Sequence, residues 1–204
     1  MQERSVITCR RLVTAAAELF YRKGYANATL GEITGAARVT KGALYFHFAS
    51  KGELAHAVQT RGCTLLAQSA DRLAVSSSSP LQTLIDFTHW LARGLREEAA
   101  LRANFRLSRE LHGEEAAGVD FTQAWMTTSW SLLDRAGAAG ELRNGADRTG
   151  PQTLLVAAVA GIELLAATDI PDEELTARVA ALWDLALPGL VGQGGRTDYR
   201  TTPP

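Results

Sequence analysis

The sequence has 204 residues, of which 46% are apolar and 21% charged, and its formal net charge is −1. This length suits one domain, or a small domain joined to a larger one, and the composition is ordinary for a globular protein with its own core. The sequence has no run of about 18 apolar residues and no signal-peptide core. We therefore expect no membrane segment and a cytoplasmic location. Cys9 and Cys63 are too few for a disulfide framework or a tetrahedral metal site, and no metal or cofactor is expected.

The charge is distributed unevenly along the chain. Residues 1–53 contain eight Lys and Arg against four Asp and Glu, whereas residues 54–204 contain 13 against 18. A basic N-terminal part joined to an acidic C-terminal part is typical of a protein that binds nucleic acid at one end and has another role at the other. Chance segregation of the charges is the alternative.

Helical signals dominate and strand signals are nearly absent. The first helix is predicted at residues 5–23 and ends before Gly24, which occupies a left-handed cap position. Thr29 and Glu32 form an S/T-x-x-E capping box for a short second helix. Thr40 and Ser50 begin the third and fourth helices, and the fourth is expected to continue to about residue 73.

Five more helices follow, with Pro171 and Pro188 as boundary signals for the last one. The sixth is expected to end near His112 and Gly113, and Gly140 to end the seventh. The predicted spans are 81–96, 99–111, 121–139, 152–167 and 172–187.

Residues 29–48, TLGEITGAARVTKGALYFHF, are predicted to form two short helices joined by a tight connection at residues 37–39. Leu30 and Ile33 give the first helix an inward face, and Leu44 brings the second helix against it. The start of the second helix then points outward, as a recognition helix does when it presents side chains to the major groove of DNA. The segment therefore predicts a helix-turn-helix.

The outward residues have side chains suited to DNA contact. Lys41 can donate to guanine, and Gly42 lets the helix approach base edges closely. Hydroxyl and basic side chains can donate to phosphates, as can Lys51 with the free amides at the start of the fourth helix. A helical corner with solvated Lys and Tyr is the alternative, against which the aromatic run at residues 45–48 argues. The predicted DNA-contacting residues are Thr29, Thr40, Lys41, Gly42, Ala43, Tyr45, His47 and Lys51.

Residues 11–54 carry a specific resemblance. They resemble the TetR family of bacterial repressors, and the stretch VTKGALYFHFASK at residues 39–51 is similar to its γ-butyrolactone receptor subgroup. The resemblance implies a homodimer that binds palindromic operator DNA, releases it when a small signalling molecule binds, and controls antibiotic or other secondary-metabolite genes. The matching pieces are Ala15–Phe20, Gly24-Tyr25, Thr29-x-x-Glu32-Ile33, residues 39–48 and Lys51-x-x-Leu54.

We therefore expect an all-α protein with an N-terminal three-helix DNA-binding domain and a larger helical domain for ligand binding and dimerisation. The DNA-binding domain is expected at residues 1–52 and the helical domain at 53–191. Residues 192–204 are Gly-rich and polar, and are expected to be a flexible tail.

Trp125 on the seventh helix is the main candidate for a ligand pocket, with Phe121 and Thr128 on the same face. The resemblance implies a pocket Trp in this helix, and plain core packing is the alternative. Some such receptors carry a pocket glutamine at the position of Gly62, so a ligand other than a standard γ-butyrolactone stays open. A furan, a butenolide or an antibiotic are the alternatives, and an antibiotic would imply a pseudo-receptor. The predicted ligand-lining residues are Leu84, Phe87, Thr88, Leu91, Phe105, Leu107, Phe121, Trp125, Thr128 and Thr168.

The last two helices are more apolar than one buried stripe requires. A two-fold four-helix interface is the functional interpretation, and TetR-like proteins are similar in using one, while a buried pair within one domain is the alternative. The residues concerned are Leu154, Ala157, Ala158, Gly161, Ile162, Leu165, Val179, Leu182, Trp183, Ala186 and Leu190.

An enzyme is not expected, and no catalytic residue is predicted. The four histidines show no metal-binding pairing, and neither GxSxG nor a phosphate-binding GxxxxGK occurs. An architectural DNA-binding protein without ligand control is a third class, but such a protein favours a basic body, and residues 54–204 are acidic.

Overall fold

The computed structural model describes residues 2–77, 79–111, 120–143, 148–191 and 198–204. The regular elements in these ranges are all helices, which confirms the predicted all-α class. In chain order they are α1 (Gln2–Lys23), α2 (Leu30–Ala37), α3 (Lys41–His47), α4 (Lys51–Ser76), α5 (Pro80–Glu97), α6 (Ala99–Glu110), α7 (Phe121–Ala138), α8 (Thr149–Ala166) and α9 (Asp172–Leu190).

Helices α2, α3 and α4 begin at the predicted caps. Thr29 and Glu32 form a complete capping box at α2. The Thr40 hydroxyl accepts a hydrogen bond of 3.1 Å from the Ala43 amide at α3. At α4 the Ser50 hydroxyl accepts one of 3.0 Å from the Glu53 amide. Each cap satisfies an amide that the helix itself leaves without a partner, and is worth about 1 kcal/mol.

The ends of the helices agree less well with the prediction. Gly140 follows α7 with a φ of 73°, as expected. Pro188, however, lies inside α9, which continues to Leu190, so its use as a helix boundary is wrong. So close to the end of a helix, a proline removes only one backbone hydrogen bond, and this is tolerated. His112 and Gly113, predicted to end α6, lie outside the described residues.

The helices divide into two compact units, and the division differs from the predicted boundary at residue 52. The head unit comprises Met1–Leu65 with Glu98–Ala124, and the body unit comprises Leu66–Glu97 with Trp125–Pro204. Helix α6 belongs to the head because its apolar face, which includes Ala103 and Leu107, packs into the core around α1. Burial of that face, rather than the order of elements along the chain, decides where α6 belongs.

Polar contacts from α6 hold the end of α1 in the head unit. Arg102 forms an ion pair of 2.8 Å with Glu18 on α1. Arg106 donates to the Tyr21 carbonyl at 2.7 Å, and the Glu110 carboxylate accepts from the Tyr25 amide at 2.6 Å. Gly24 has a φ of 83°, and a Cβ there would lie 2.6 Å from the Arg106 guanidinium. The backbone conformation therefore favours glycine here, and a larger residue would also displace the end of the Arg106 side chain.

Helix α5 is the central element of the body unit. Its side chains from Pro80 to His89 are all buried, and it packs against both α8 and α9. The Trp183 indole on α9 donates a buried hydrogen bond of 2.7 Å to the Thr88 hydroxyl, which itself donates to the Ile85 carbonyl at 2.7 Å. The inward face of α5 is thus closed by other elements of the same unit.

The last two helices divide their apolar residues between the core and the surface. Ala158, Ile162, Val179 and Trp183 are buried within the body unit, so the prediction that they form part of a dimer face is wrong. The exposed apolar positions instead include Leu164 on α8, 70% exposed, and Leu185 on α9, 85% exposed.

Helix α8 is long and apolar enough, by length and composition alone, to cross a membrane, with a mean hydropathy of 1.4. The sequence did not indicate this because Gln152, Thr153 and Glu163 interrupt every apolar run. Since α8 packs against α5 and α9, part of its apolar surface is used within the body unit.

The predicted flexible tail divides into two parts. Residues 192–197 lie outside the described residues. Residues 198–204 are held against α5, since Arg200 forms an ion pair of 2.9 Å with Asp86. The prediction of a flexible tail is therefore wrong for this segment.

Gly62 on α4 should not tolerate a side chain. A Cβ there would lie 2.2 Å from Nδ2 of Asn104, a buried side chain that donates to the Val58 carbonyl at 3.1 Å and to the Ala100 carbonyl at 2.7 Å. Gly62→Ala is expected to lower the free energy of unfolding by about 1–3 kcal/mol, because the amide must leave these acceptors. Urea denaturation measures the change.

The matched control is Gly35→Ala, where a Cβ meets nothing within 4 Å. This substitution is expected to be neutral or stabilising by up to about 1 kcal/mol, because alanine favours the helix. Equal denaturation midpoints for the two variants would contradict the steric argument.

Candidate functional site

The start of α2 is fixed by a polar network. The Thr29 hydroxyl accepts from the Glu32 amide at 3.2 Å and donates to the Glu32 carboxylate at 3.0 Å. The carboxylate also accepts from the Thr29 amide at 3.1 Å and pairs with Lys23 at the end of α1. Thr29, predicted to contact DNA, thus already uses its hydroxyl proton within the chain.

The same network lowers the pKa of Glu32 from 4.5 to about 2. The main cause is the hydrogen bond from Lys23, followed by those from the Thr29 amide and hydroxyl. Glu32 therefore stays ionised, and the cap intact, in all but strongly acidic solution.

The turn between α2 and α3 is tight and carries a cation. Arg38 caps α2 in a left-handed conformation, with a φ of 54°. Its amide donates to the Gly35 carbonyl at 3.1 Å, and the Val39 amide donates to the Thr34 carbonyl at 3.0 Å. Arg38 is exposed, and it is the one non-glycine residue with a positive φ in the described parts of the chain.

Helix α3 presents one face to solvent. Leu44 is buried in the head core, while Lys41, Gly42 and Tyr45 are exposed. A Cβ on Gly42 would meet only the Thr40 hydroxyl, at 3.9 Å, so nothing in the chain itself requires glycine there. This face therefore presents the ammonium group of Lys41, the phenol hydroxyl of Tyr45 and, at Gly42, a position without a side chain.

The flanks of this face are half-buried or engaged in capping. Ala43 and His47 are half-buried. The His47 ring lies between two phenylalanines, with its centroid 5.1 Å from that of Phe46 and 6.3 Å from that of Phe48. The Thr40 hydroxyl accepts from the Ala43 amide, which leaves its own proton available to a phosphate.

The structure uses Lys51 differently from the prediction. Its ammonium group donates to the carbonyl oxygens of Tyr25, Ala26 and Ala28 at 2.9, 3.2 and 3.2 Å. It also lies 4.5 Å from the centroid of the Tyr25 ring. An ammonium group has three protons, so this side chain is committed to the turn after α1 rather than to a phosphate.

Two exposed residues of the head were missing from the predicted set. Phe46 on α3 is 80% exposed beside Tyr45, and Arg38 extends the cationic surface to the turn. The aromatic run at residues 45–48 was noted in the sequence, but its pattern does not reveal which ring points outward.

The predicted ligand residues of the body unit form an aromatic cluster. The Trp125 ring is buried, and its centroid lies 4.9 Å from that of Phe87. Phe87 in turn stacks on Trp90, with a centroid distance of 5.3 Å. Leu84 and Leu91 are buried on the same helix as Phe87, and Thr128 is half-buried on the helix of Trp125. These residues stay the predicted ligand contacts.

Other predicted ligand residues have different surroundings. In the head unit Phe105 and Phe121 are buried and meet edge to face, with centroids 5.1 Å apart, whereas Leu107 packs into the core around α1. In the body unit the Thr88 hydroxyl is occupied by Trp183. Thr168 lies beyond the end of α8, is exposed, and donates to the Leu165 carbonyl. Leu107, Thr88 and Thr168 are therefore used differently from the prediction.

Two cavities of the body unit are not lined by Trp125. One, of about 490 Å³, is lined by residues that include Arg72, His89, Trp90 and Pro203. Another, of about 850 Å³, is lined by parts of α7, α8 and α9. Neither is lined by a predicted ligand residue. Among the residues that the structure describes, no three His, Cys, Asp or Glu side chains are grouped to hold a metal ion.

Comparison with known proteins identifies the family. Residues 12–58 match the family described as "Bacterial regulatory proteins, tetR family". The A-factor receptor protein of Streptomyces griseus is 35% identical over 193 residues, which cover 95% of this chain and 67% of that protein. The chain belongs to the TetR family.

Solved structures of TetR-family proteins agree with this assignment. A γ-butyrolactone receptor described as ArpA-like superposes with a TM-score of 0.81 at 30% identity, covering 96% of this chain and 94% of the other. CprB from Streptomyces coelicolor, solved in complex with its biological operator sequence, gives a TM-score of 0.79 at 31% identity, covering 92% and 90%.

The ionisation of Glu32 should depend on Lys23. In the unfolded chain a pKa near 4.5 applies, so the charge on Glu32 stabilises the fold above that pH, and this contribution is lost as the pH falls towards 2. Lys23→Met should raise the pKa of Glu32 towards its ordinary value, because the strongest hydrogen bond to the carboxylate is gone. A carboxyl-carbon NMR titration measures the pKa.

Lys41→Met is the matched control, because it removes an equal charge from the surface of the same unit. It should leave the Glu32 titration unchanged. If Lys23→Met also left it unchanged, the assigned cause of the low pKa would be wrong.

Proposed function

We propose that this protein is a ligand-responsive transcriptional repressor that binds palindromic operator DNA as a dimer and is released by a small signalling molecule. The observation that carries the proposal is the exposed face of α3, which is fixed by caps at both α2 and α3 and is left free of contacts with the core. In this role the protein is not an enzyme and works in the cytoplasm, on antibiotic or other secondary-metabolite genes.

The DNA contact is proposed at the exposed face of α3. Lys41 is placed to donate to a guanine edge, and the bare surface at Gly42 lets the helix backbone approach the bases. Tyr45 and the Thr40 hydroxyl are placed to donate to phosphates on either side. The CprB neighbour, solved with its operator, supports this use of the fold. Exposed Phe46 and Arg38 join the proposed contact set, and Lys51 leaves it.

The dimer contact is proposed at the exposed apolar surface of α8 and α9. Val156, Leu164 and Leu185 are large apolar side chains open to solvent, and the exposed positions between them on α8 are the small residues Ala157 and Ala160. Small residues allow a second pair of helices to approach closely, as a two-fold four-helix interface needs.

The ligand is proposed to be a γ-butyrolactone, furan or butenolide that binds at the Trp125 cluster. The relatives named as A-factor receptor and γ-butyrolactone receptor support this chemical class. The rings of Trp125, Phe87 and Trp90 provide apolar walls, and Thr128 provides a hydroxyl on the same helix as Trp125. Helix α4 has residues in both units, so a ligand that shifts it would change the separation of two recognition helices that span about 34–36 Å.

A pseudo-receptor that responds to an antibiotic is the second candidate. The position at which some receptors of this type carry a glutamine is Gly62 here, and the Asn104 side chain fills its space. A changed polar group at that position favours a ligand other than a standard γ-butyrolactone. Release of operator by an antibiotic but by none of the three signal classes would support this candidate.

Substitutions on α3 should weaken operator binding without unfolding the head. Lys41→Ala should cost about 1–3 kcal/mol of binding and relax the preference at one base position in each half-site. Gly42→Ala should weaken binding about tenfold, because the added methyl group meets DNA and little else. Both are measured by fluorescence anisotropy on an operator selected from random DNA.

Lys51→Met is the control for these variants. A lysine that contacts a phosphate contributes about one unit to the slope of log affinity against log salt, so Lys51→Met should leave this slope unchanged. If the ratio of the affinity for operator to the affinity for random DNA were the same in the Lys41→Ala protein as in the wild type, Lys41 would be removed from the set of base-reading residues.

Trp125→Phe tests the ligand site while keeping an aromatic ring beside Phe87. The variant should bind operator normally, but should need at least about tenfold more of a synthetic γ-butyrolactone for half-release. Trp130→Phe, on the same helix, is the matched control and should respond as the wild type does. Normal release of the Trp125→Phe protein would place the ligand elsewhere.

A further inference from the structure

Residues 198–204, here called the latch segment, lie along a polar stripe on α5. The stripe consists of Gln82, Asp86 and His89, which are spaced four and three residues apart and so share one helix face. All three side chains are buried. Polar side chains in a buried stripe need partners, and the latch segment supplies them.

The latch segment pairs with the stripe as a peptide pairs with a recognition groove. The Gln82 amide donates to the Arg200 carbonyl at 2.9 Å and accepts from the Arg200 amide at 2.9 Å. The Arg200 guanidinium donates to both oxygens of Asp86, at 2.9 and 3.0 Å. His89 Nε2 lies 2.6 Å from the Thr201 carbonyl oxygen. The main chain and the side chain of Arg200 and the carbonyl of Thr201 are thus all bound by the stripe.

The pairing with Arg200 offsets part of the desolvation of a buried carboxylate. Burial raises the pKa of Asp86, whereas the hydrogen bond from Gln82 and the charge of Arg200 act in the opposite direction. Without Arg200 the carboxylate would remain on α5 with its guanidinium partner lost. The stripe therefore favours a segment that carries a guanidinium group.

The latch segment also contributes to a wall beside the aromatic cluster. Pro203 and Pro204 line the cavity of about 490 Å³ together with His89 and Trp90. Trp90 stacks on Phe87, and Phe87 contacts Trp125. A row of rings therefore runs from the cavity at the latch segment to the candidate ligand site.

We propose that the Gln82–Asp86–His89 stripe is a peptide-recognition groove whose occupant is the latch segment of the same chain, and that its occupancy sets the position of Trp90 and, through Phe87, that of Trp125. The groove takes a peptide with an arginine at its centre. The further consequence, that the latch tunes the affinity for the inducer, rests on the proposed function.

The experiment uses the full chain with 5-fluorotryptophan at its four tryptophans, and fluorine NMR assigned by Trp→Phe variants. Arg200→Ala should shift the Trp90 resonance most and that of Trp125 next. The matched control is Arg178→Ala, which removes an exposed arginine paired with Glu174 on α9 and should leave both resonances in place. Unchanged Trp90 and Trp125 resonances in the Arg200→Ala protein would overturn the proposal.

A synthetic peptide of residues 198–204, added to the Arg200→Ala protein, tests the groove directly. It should return the Trp90 resonance towards the wild-type position, and the same peptide carrying Arg200→Ala should bind at least about tenfold more weakly. Equal binding of the two peptides, or no binding of either while circular dichroism shows a folded protein, would also overturn the proposal.

The coupling between the latch segment and the inducer is measured in a separate experiment, by the release of operator. If the proposed function holds, Arg200→Ala should change the concentration of synthetic γ-butyrolactone needed for half-release of operator by about tenfold. A protein that ignores the lactone but still shows the shifted resonances and the peptide rescue would contradict the proposed ligand and support the latch. An unchanged lactone response with shifted resonances would contradict the coupling to the ligand site.

Discussion

A polar group taken out of water costs about 1–3 kcal/mol when it finds no partner, and this constraint sets the main features of both units. In the head, the Lys51 ammonium group lies under three carbonyl oxygens of the turn after α1 and so fixes the start of α4. In the body, the Asp86 carboxylate on α5 is met by Arg200. In each case a cation distant in the sequence is the partner of polar groups that apolar packing alone would leave unsatisfied. The helices that carry the proposed functions are held by these few polar contacts as well as by their cores.

Features that depend on near neighbours could be predicted from the sequence. The capping box of Thr29 and Glu32 and the cap at Thr40 involve residues three apart, so the sequence contains the whole interaction. Partners far apart in sequence could not be found in this way. Arg200 and Asp86 are 114 residues apart, and Lys51 lies 23 or more residues from its acceptors. A polar tail therefore resembled a flexible one, and Lys51 resembled a surface lysine next to DNA. Pro188 shows the opposite limit, because the local rule predicted a helix end where a proline so close to the C-terminal end of α9 removes only one backbone hydrogen bond and is tolerated.

The two candidate sites differ in the same respect. The proposed DNA face depends on one short helix, whose inward residue, Leu44, was recognisable by its apolar spacing. Once the inward residue of a helix is known, its outward residues can be predicted from the helical repeat. The proposed ligand site depends on which of many apolar residues face a cavity, and apolarity predicts burial without specifying the neighbour. The sequence therefore could not indicate that Leu107 packs into the head core, or that the Thr88 hydroxyl accepts a hydrogen bond from Trp183. The cluster of Trp125, Phe87 and Trp90 was only partly predicted, since Trp90 was not among the predicted ligand residues.

Arg38 shows a compromise between backbone conformation and charge. A non-glycine residue in the left-handed region carries a penalty of about 1 kcal/mol or more, which a glycine at the same place would avoid. The turn between α2 and α3 carries this penalty and keeps the Arg38 guanidinium group exposed just before α3, the proposed recognition helix. Electrostatic attraction acts at longer range than hydrogen bonding, over about 8–10 Å in physiological salt. A cation held at the turn can therefore accelerate the first encounter with a polyanion before any base is contacted, so that part of the head's stability is exchanged for the speed of association.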